Sequence, residues 1–200
     1  MTRPANNTSG INELLQSAKN CQLCPDLPLG PKPILQASPA AKILIAGQAP
    51  GRITHLKGIP FDDPSGVRLR RWMGISEADF YDPMKIAILP MGFCFPGSGK
   101  SGDLPPRPEC AAKWRSPLLA ELKNIELTLI IGQYAINWHI NDGEKLTLTA
   151  RVKQWHSYLP SRLVMPHPSP RNNRWLSKNP WYEADVVPAL QERIAAILGA

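Results

Sequence analysis

The sequence predicts an α/β fold, a three-layer αβα arrangement around a four-stranded, mostly parallel central sheet. Four short runs rich in Ile, Leu and Val predict the strands. Each run is continuous rather than alternating, as expected for strands covered on both faces, and each is flanked by Gly or Pro. The runs are Lys42–Ala46, Ile86–Leu89, Leu127–Ile131 and Arg162–Met165.

Helical segments are predicted before, between and after these strands. They are Gly10–Asn20, Val67–Met73, Cys110–Lys123, Gln133–Trp138 and Trp181–Leu198. Strands that alternate with helices indicate βαβ units and therefore parallel pairing. We expect a flexible N-terminus over residues 1–10 and a single domain over residues 11–200, because 200 residues leave little room for a second core.

The charge and hydropathy of the chain indicate which kinds of partner it binds. The formal net charge of +7 favours a polyanionic partner, since clustered Lys and Arg gain from releasing the counterions around phosphates. No stretch approaches the roughly 18 apolar residues that span a bilayer. The polar segment Met1–Gly10 lacks the apolar core of a secretory signal. We therefore expect a cytoplasmic protein that has no membrane partner and acts as a monomer.

The four cysteines form two pairs. In a cytosolic protein such residues are metal ligands or small packing residues more often than disulfides. The spacing Cys21-x2-Cys24 lets two thiolates reach one metal centre from a tight turn. Cys94 and Cys110, with fifteen residues between them, could close a four-thiolate site from a Gly/Pro-rich loop. The spacing does not separate zinc from a [4Fe–4S] cluster, and the second pair could instead be packing residues.

Distinctive segments follow the predicted strands. The first strand runs into Gly47-Gln48-Ala49-Pro50-Gly51 and the second into Pro90-Met91-Gly92-Phe93-Cys94. The third ends at Gly132-Gln133-Tyr134, and the fourth at Pro166-His167-Pro168-Ser169-Pro170. Ligands of parallel sheets bind beyond the carboxyl ends of the strands. We therefore expect these segments to converge on one edge of the sheet.

One further segment looks like a phosphate-binding loop but lacks two of its features. In Phe95-Pro96-Gly97-Ser98-Gly99-Lys100-Ser101, the pattern G-x4-G-K-S requires a glycine at position 94, where this chain has Cys94. The next residues, Gly102-Asp103-Leu104-Pro105-Pro106, cannot open a helix whose N-terminus would face a phosphate. The sequence argues against a nucleoside triphosphatase.

Several motifs together resemble a known family. Gly47-Gln48-Ala49-Pro50-Gly51 and His167-Pro168-Ser169 are similar to the paired motifs of the uracil-DNA glycosylase superfamily. The segment Gly58-Ile59-Pro60-Phe61-Asp62-Asp63-Pro64-Ser65-Gly66 looks like the G-x-P-F-x-x-P-x-G segment of its iron–sulfur branch. The two cysteine pairs also match that branch, including the fifteen-residue interval. The sequence is identified as a member of this superfamily, in its four-cysteine, iron–sulfur branch.

The resemblance implies a DNA glycosylase that accepts a base rotated out of the duplex. His167 would donate a hydrogen bond to a base oxygen as negative charge grows on the leaving base. Phe61 would stack on the flipped base, while Gly47 and Gly51 would let the backbone approach the pocket closely. Ala49 and Pro50 complete this predicted pocket wall.

The resemblance also implies a DNA surface and a cofactor. Ser169 and nearby backbone amides would hold phosphates. Arg171, Asn172 and Arg174 follow the histidine, where related enzymes press a side chain into the vacated stack. Arg171 is the preferred candidate because a guanidinium can both stack and pair with phosphate, although a solvated loop is an alternative. The cysteines would hold a [4Fe–4S] cluster, with zinc as the alternative.

The chain departs from the family pattern in its carboxylates. Gln48 stands where the iron–sulfur glycosylases usually carry a glutamate, and Ala49 where the best-known branch has an aspartate. A glutamine can orient water or bind a base, but it cannot act as a general base. Asp62 and Asp63 are the nearest substitutes in the sequence, and they could instead cap a turn before Pro64.

A second departure concerns base recognition. Pro90 stands where the family tends to place an asparagine that reads the uracil edge, and proline offers neither a side-chain donor nor a backbone N–H. Backbone groups of Met91 or Gly92, or the amide of Gln48, could take over this role. The alternative function is a non-catalytic, DNA-binding iron–sulfur protein of the same fold.

Overall fold

A parallel four-stranded sheet forms the centre of the structure, a computed structural model that describes residues 8–100 and 102–199. Its strands are β1 (Ile43–Ala46), β2 (Ile86–Ile88), β3 (Leu127–Ile131) and β4 (Arg162–Met165). They are ordered β2-β1-β3-β4, and each adjacent pair is parallel. The predicted sheet is confirmed, with strand ends that differ from the prediction by at most one residue.

Helices precede, connect and follow the strands. The chain begins with α1 (Thr8–Lys19), and β1 leads into α2 (Arg52–Lys57), α3 (Pro64–Met73) and α4 (Glu77–Tyr81). After β2 come α5 (Pro108–Cys110), a π-helical turn (Ala111–Arg115) and α6 (Ser116–Glu121). After β3 come α7 (Gln133–His139), α8 (Leu148–Lys153) and α9 (Trp155–Tyr158). After β4 come a 3₁₀ turn (Pro170–Asn172), α10 (Asn173–Lys178), a second π-helical turn (Tyr182–Val186) and α11 (Val187–Leu198).

All five predicted helices are present with altered ends. The helices that were not predicted, α2, α4, α8, α9 and α10, have four to six residues each, too few to show a helical period in the sequence. The predicted flexible segment, residues 1–10, lies outside the described residues except for residues 8–10, which begin α1. Within the two described ranges, no helix combines the length and apolar character needed to cross a bilayer.

The helices cover both faces of the sheet. On one face, Leu44 packs with residues of α1 and α6 in one apolar cluster. On the other face, Ile43 and Ile45 pack with residues of α3 and α11 in a second cluster. Neighbouring residues of β1 serve different layers because successive side chains of a strand point to opposite faces. The predicted three-layer αβα arrangement is thereby confirmed.

Candidate functional site

The segment at residues 47–51, here called the glycine turn, lies directly beyond β1. The Met91 N–H donates to the Gly47 carbonyl at 2.8 Å, and the Gly92 N–H donates to the Gln48 carbonyl at 3.0 Å. These bonds continue the pairing of β1 with β2 past the ends of both strands. The two N–H groups in these bonds are the backbone donors that the sequence suggested for base recognition. The Met91 side chain is buried in the core. Met91 and Gly92 therefore support the glycine turn instead of offering their N–H groups to a ligand.

Phe61 lies against the start of the glycine turn. Its Cζ atom is 3.8 Å from the position that a Cβ on Gly47 would take, and its half-buried ring meets Phe80 edge to face with centroids 6.1 Å apart. The φ of Phe61 is +55°, a left-handed conformation that is uncommon for a bulky residue. A Cβ on Gly66 would overlap the Phe61 carbonyl, so only glycine fits there. Gly66 thus allows a strained turn that holds an aromatic face beside Gly47.

The two carboxylates after Phe61 already have partners. Asp62 forms an ion pair with Lys57 at 3.1 Å. The Asp63 carboxylate accepts the Gly66 N–H at 2.9 Å and caps α3, which has Pro64 in its first turn. Asp63 therefore has the capping role that was the alternative prediction for these two residues. Neither side chain is held in an arrangement that presents it as a free general base.

His167 lies in the segment at residues 166–170, here called the histidine turn, directly after β4. Its Nδ1 accepts the Ser169 N–H at 3.1 Å, and its backbone carbonyl accepts the Asn172 amide at 2.7 Å. Burial lowers the pKa of His167, while the carboxylates of Asp63 and Asp103 oppose this shift. The imidazole is therefore neutral at neutral pH. Because Nδ1 is an acceptor, the proton is assigned to Nε2, which leaves Nε2–H as a donor.

Arg68 of α3 fixes the histidine turn in place. Its guanidinium donates to the Ser169 carbonyl at 3.1 Å and to the Asn173 side chain at 2.7 Å. The Ser169 hydroxyl accepts the Arg171 N–H at 3.2 Å, so it caps the following 3₁₀ turn. Arg171 and Arg174 have exposed side chains. Of the predicted DNA-binding residues, Ser169 and Asn172 therefore organise the turn, and the two arginines remain accessible.

The loop after β2 that partly matches a phosphate-binding motif packs against the glycine turn. Residues 97–100 and 102–104, called the cover loop, are held by bonds from the Gly99 N–H to the Gly102 carbonyl at 2.6 Å and from the Leu104 N–H to the Gly97 carbonyl at 2.8 Å. The Gln48 amide donates to the Leu104 carbonyl at 2.9 Å.

The cover loop lies beside the glycine turn and beside Arg171, which directly follows the histidine turn. Asp103 Oδ2 is 3.6 Å from the position of a Cβ on Gly51, and Arg171 Nη1 is 3.2 Å from that of a Cβ on Gly102. The glycine turn and the residues following His167 are therefore on the same side of the molecule, as the strand ends predicted. The arrangement gathers an aromatic face, a neutral imidazole donor, an amide and a carboxylate. These groups can bind a planar heterocycle and stabilise negative charge on it.

The four cysteines line one cavity together with Trp114. Sγ of Cys21 accepts the Leu23 N–H at 3.5 Å, and Sγ of Cys110 accepts the Phe93 N–H at 3.3 Å. Backbone N–H groups directed at sulfur stabilise thiolate ligands. Burial raises the pKa of Cys94 to about 11 and that of Cys110 to about 12, so each is a neutral thiol unless a cationic centre binds it.

The same cavity contains an unsatisfied donor. The indole Nε1 of Trp114 is buried and has no hydrogen-bond partner in the part of the chain that the structure describes. Over residues 8–100 and 102–199, no group of three or more His, Cys, Asp or Glu side chains is arranged to hold a single metal ion. Four thiols and an indole thus line the same cavity, and this lining is chemically suited to a thiolate-ligated group.

The fold and the site define a class of protein: a three-layer α/β protein with a glycine turn, an aromatic residue and a histidine turn gathered at the carboxyl edge of a parallel sheet. The family model of the uracil DNA glycosylase superfamily matches residues 36–191. This range contains the whole site, while Cys21 and Cys24 precede it. The chain belongs to the uracil DNA glycosylase superfamily, and membership suggests a function of the DNA glycosylase type.

Proposed function

We propose that the protein is a DNA glycosylase that hydrolyses the N-glycosidic bond of uracil or another deaminated base in DNA, as in base-excision repair. The observation that carries the proposal is that the glycine turn, Phe61 and the histidine turn, which are far apart in the chain, share one edge of the sheet. Phe61 Cζ is 3.8 Å from the position that a Cβ on Gly47 would take, and the cover loop lies beside both Gly51 and Arg171.

The base would lie against Phe61, with the backbone of the glycine turn on its other side. The Nε2–H of His167 would then donate to a base oxygen as the glycosidic bond breaks and negative charge develops there. A neutral imidazole suits this role because its Nε2–H can donate a hydrogen bond to the oxygen on which negative charge grows. Comparable donors contribute about 3 kcal/mol to the stabilisation of a transition state.

Base recognition would rest on Gln48. Pro90 offers no donor, and the N–H groups of Met91 and Gly92 are already used within the protein. One N–H of the Gln48 amide binds the Leu104 carbonyl, which leaves a second N–H and the amide oxygen. A paired donor and acceptor complements the N–H and C=O edge that uracil, hypoxanthine and xanthine share. This chemistry favours a deaminated base and does not select one of the three.

The DNA backbone would be held by the exposed basic residues after the histidine turn. Arg171 and Arg174 are both accessible, and the chain carries a formal net charge of +7. Phosphate contacts of this kind weaken with increasing salt because binding releases counterions. We therefore expect DNA binding that depends steeply on the salt concentration and that is weaker in Arg171→Ala than in wild type.

We also propose that Cys21, Cys24, Cys94 and Cys110 hold a [4Fe–4S] cluster, as in the iron–sulfur branch. The shared cavity, the N–H groups directed at sulfur and the free Trp114 indole donor support this proposal. The cluster would connect the N-terminal segment to the loop after β2, which is a structural role.

Protein purified without oxygen tests the cluster. It should be brown, with about four iron atoms per chain, and Cys110→Ser should lose both colour and iron. A colourless protein that contains zinc would contradict the cluster.

A lesion panel tests the catalytic proposal. Single- and double-stranded oligonucleotides containing uracil, hypoxanthine or xanthine are incubated with the protein, and abasic sites are then cleaved with alkali. Wild type should release at least one of these bases. His167→Gln should slow release by roughly 10² to 10³-fold while DNA binding is kept. His156→Gln, which changes an exposed histidine, is the matched control and should match wild type.

The alternative function is a non-catalytic, DNA-binding iron–sulfur protein of the same fold. It is favoured by one observation: Gln48 replaces the motif carboxylate, while Asp62 and Asp63 are engaged by Lys57 and Gly66. This alternative predicts DNA binding without any abasic product across the panel.

A further inference from the structure

The glycine turn lacks a carboxylate, a group that assists hydrolysis of a glycosidic bond. The sugar becomes cationic as the base departs, and the attacking water must lose a proton. A carboxylate can meet both requirements, and the amide of Gln48 can meet neither. Asp62 is paired with Lys57, and Asp63 is the cap of α3. A catalytic carboxylate would therefore have to come from another segment of the chain.

Asp103 of the cover loop lies at the glycine turn. Its Oδ2 is 3.6 Å from the position of a Cβ on Gly51, so the absence of a side chain at Gly51 leaves room beside this oxygen. The next residue, Leu104, accepts the Gln48 amide at 2.9 Å. These contacts direct the Asp103 carboxylate towards the turn where the family pattern normally has its own carboxylate.

The cover loop also fixes the position of Asp103. Ser98 and Asp103 form an antiparallel bridge, and the Ser98 hydroxyl donates to Asp103 Oδ1 at 3.3 Å. In the described part of the chain, the ion pairs formed by lysine and arginine side chains do not include Asp103, in contrast to Asp62. Asp103 is exposed, so water can reach it.

We propose that Asp103 is the catalytic carboxylate of this site and replaces the carboxylate missing from the glycine turn. This inference rests on the proposed glycosylase function. As the bond between C1′ and the base nitrogen breaks, its electron pair leaves with the base, and His167 Nε2–H hydrogen-bonds to the base oxygen. The Asp103 carboxylate stabilises the cationic sugar and orients a water whose oxygen bonds to C1′. That water's proton passes to Asp103 and then to solvent, and the base anion takes a proton from solvent.

Electrostatics support the same placement. The negative charges of Asp63 and Asp103 both raise the pKa of His167, against the lowering caused by burial. The Asp103 carboxylate is therefore close enough for its charge to act on the imidazole. The leaving base would lie beside His167 when the glycosidic bond breaks, and the attacking water would lie beside Asp103.

The test is single-turnover excision by the whole protein, on whichever lesion wild type processes. Asp103→Asn removes the charge and keeps the shape, so the rate should fall by roughly 10² to 10⁴-fold while binding to the same DNA is kept. Asp185→Asn makes the same change at an exposed position and should match wild type. Asp62→Asn tests the rival carboxylate.

A second readout does not depend on turnover. The titration of His167, followed by NMR, should move to lower pH in Asp103→Asn because a nearby negative charge is removed, and it should not move in Asp185→Asn. Three results would each overturn the role of Asp103 and leave the proposed function standing. They are an active wild type whose excision rate differs from that of Asp103→Asn by less than threefold, a larger loss of rate in Asp62→Asn than in Asp103→Asn, and an unshifted His167 titration. A wild type that excises none of the lesions would overturn both.

Discussion

Acid should destabilise this protein through a contact between a buried arginine and a half-buried histidine behind the site. Arg115 is fully buried; its Nε donates to the Leu89 carbonyl at 3.2 Å, and its Nη2 is 2.6 Å from His139 Nε2. His139 must accept this bond, so protonation of Nε2 would place two cations in contact. Burial, aided by Arg115 and Arg162, lowers the pKa of His139 to about 3. Leu89 directly follows β2 and precedes Met91, whose N–H bonds to the glycine turn, so the pair supports the site.

The sign and size of the effect follow from proton linkage. Above a pH of about 6.5, His139 is neutral in both the folded and the unfolded chain and contributes no pH dependence. Below that value the unfolded chain binds a proton that the folded chain refuses until the pH approaches about 3. The free energy of unfolding therefore falls by about 1.4 kcal/mol for each pH unit, or about 2.7 kcal/mol between pH values of about 6.5 and 4.5.

The assay is urea unfolding at pH values of about 7.5 and 4.5 for wild type and two variants. His139→Gln can still accept from Arg115 but does not titrate, so its loss of unfolding free energy between the two pH values should be smaller than that of wild type by about 2 to 3 kcal/mol. His156→Gln changes an exposed ring and should behave like wild type. The comparison cancels the titration of all groups that the variants share. Equal pH dependence in wild type and His139→Gln would refute the reasoning.

Three other substitutions test the supports of the site. Gly66→Ala places a Cβ on the Phe61 carbonyl and should lower both the unfolding free energy and the rate of base release. Gly10→Ala should lower neither, because its Cβ would meet no atom of the described residues within 4 Å. Arg68→Met frees the histidine turn, and we expect slower base release with an unfolding free energy lower by about 1 to 3 kcal/mol in urea titrations; unchanged kinetics would contradict this. Trp114→Phe should make the reduction potential of the proposed cluster more negative by voltammetry, and an unchanged potential would contradict an N–H···S bond from the indole.

The strands and the edge on which the site lies were predictable because they depend on local patterns. Continuous apolar runs such as Leu127–Ile131 identify strands covered on both faces, and parallel pairing brings their carboxyl ends to one edge. The segments around Gln48 and His167 follow two of these strands directly. Their shared edge therefore follows from the order of elements along the chain.

The short helices and the π-helical turns were not predictable in the same way. A helix such as α2, with six residues, contains less than two periods of any apolar pattern. The π-helical turn at Ala111–Arg115 adds a residue to one turn of an otherwise helical segment, which changes the direction of the side chains after it. Packing rather than propensity decides such details.

By itself, the sequence determined the layered fold, the identity of the turns and the absence of a carboxylate from the glycine turn. Only the tertiary structure decided which groups are free to act: Asp62 is paired with Lys57, the Met91 N–H is bonded to Gly47, and Asp103 is brought to Gly51. The physical reason is the range of the interactions. Strand patterns and caps depend on neighbours a few residues away, whereas the contacts of Met91 with Gly47 and of Asp103 with Gly51 join segments that are far apart in the chain.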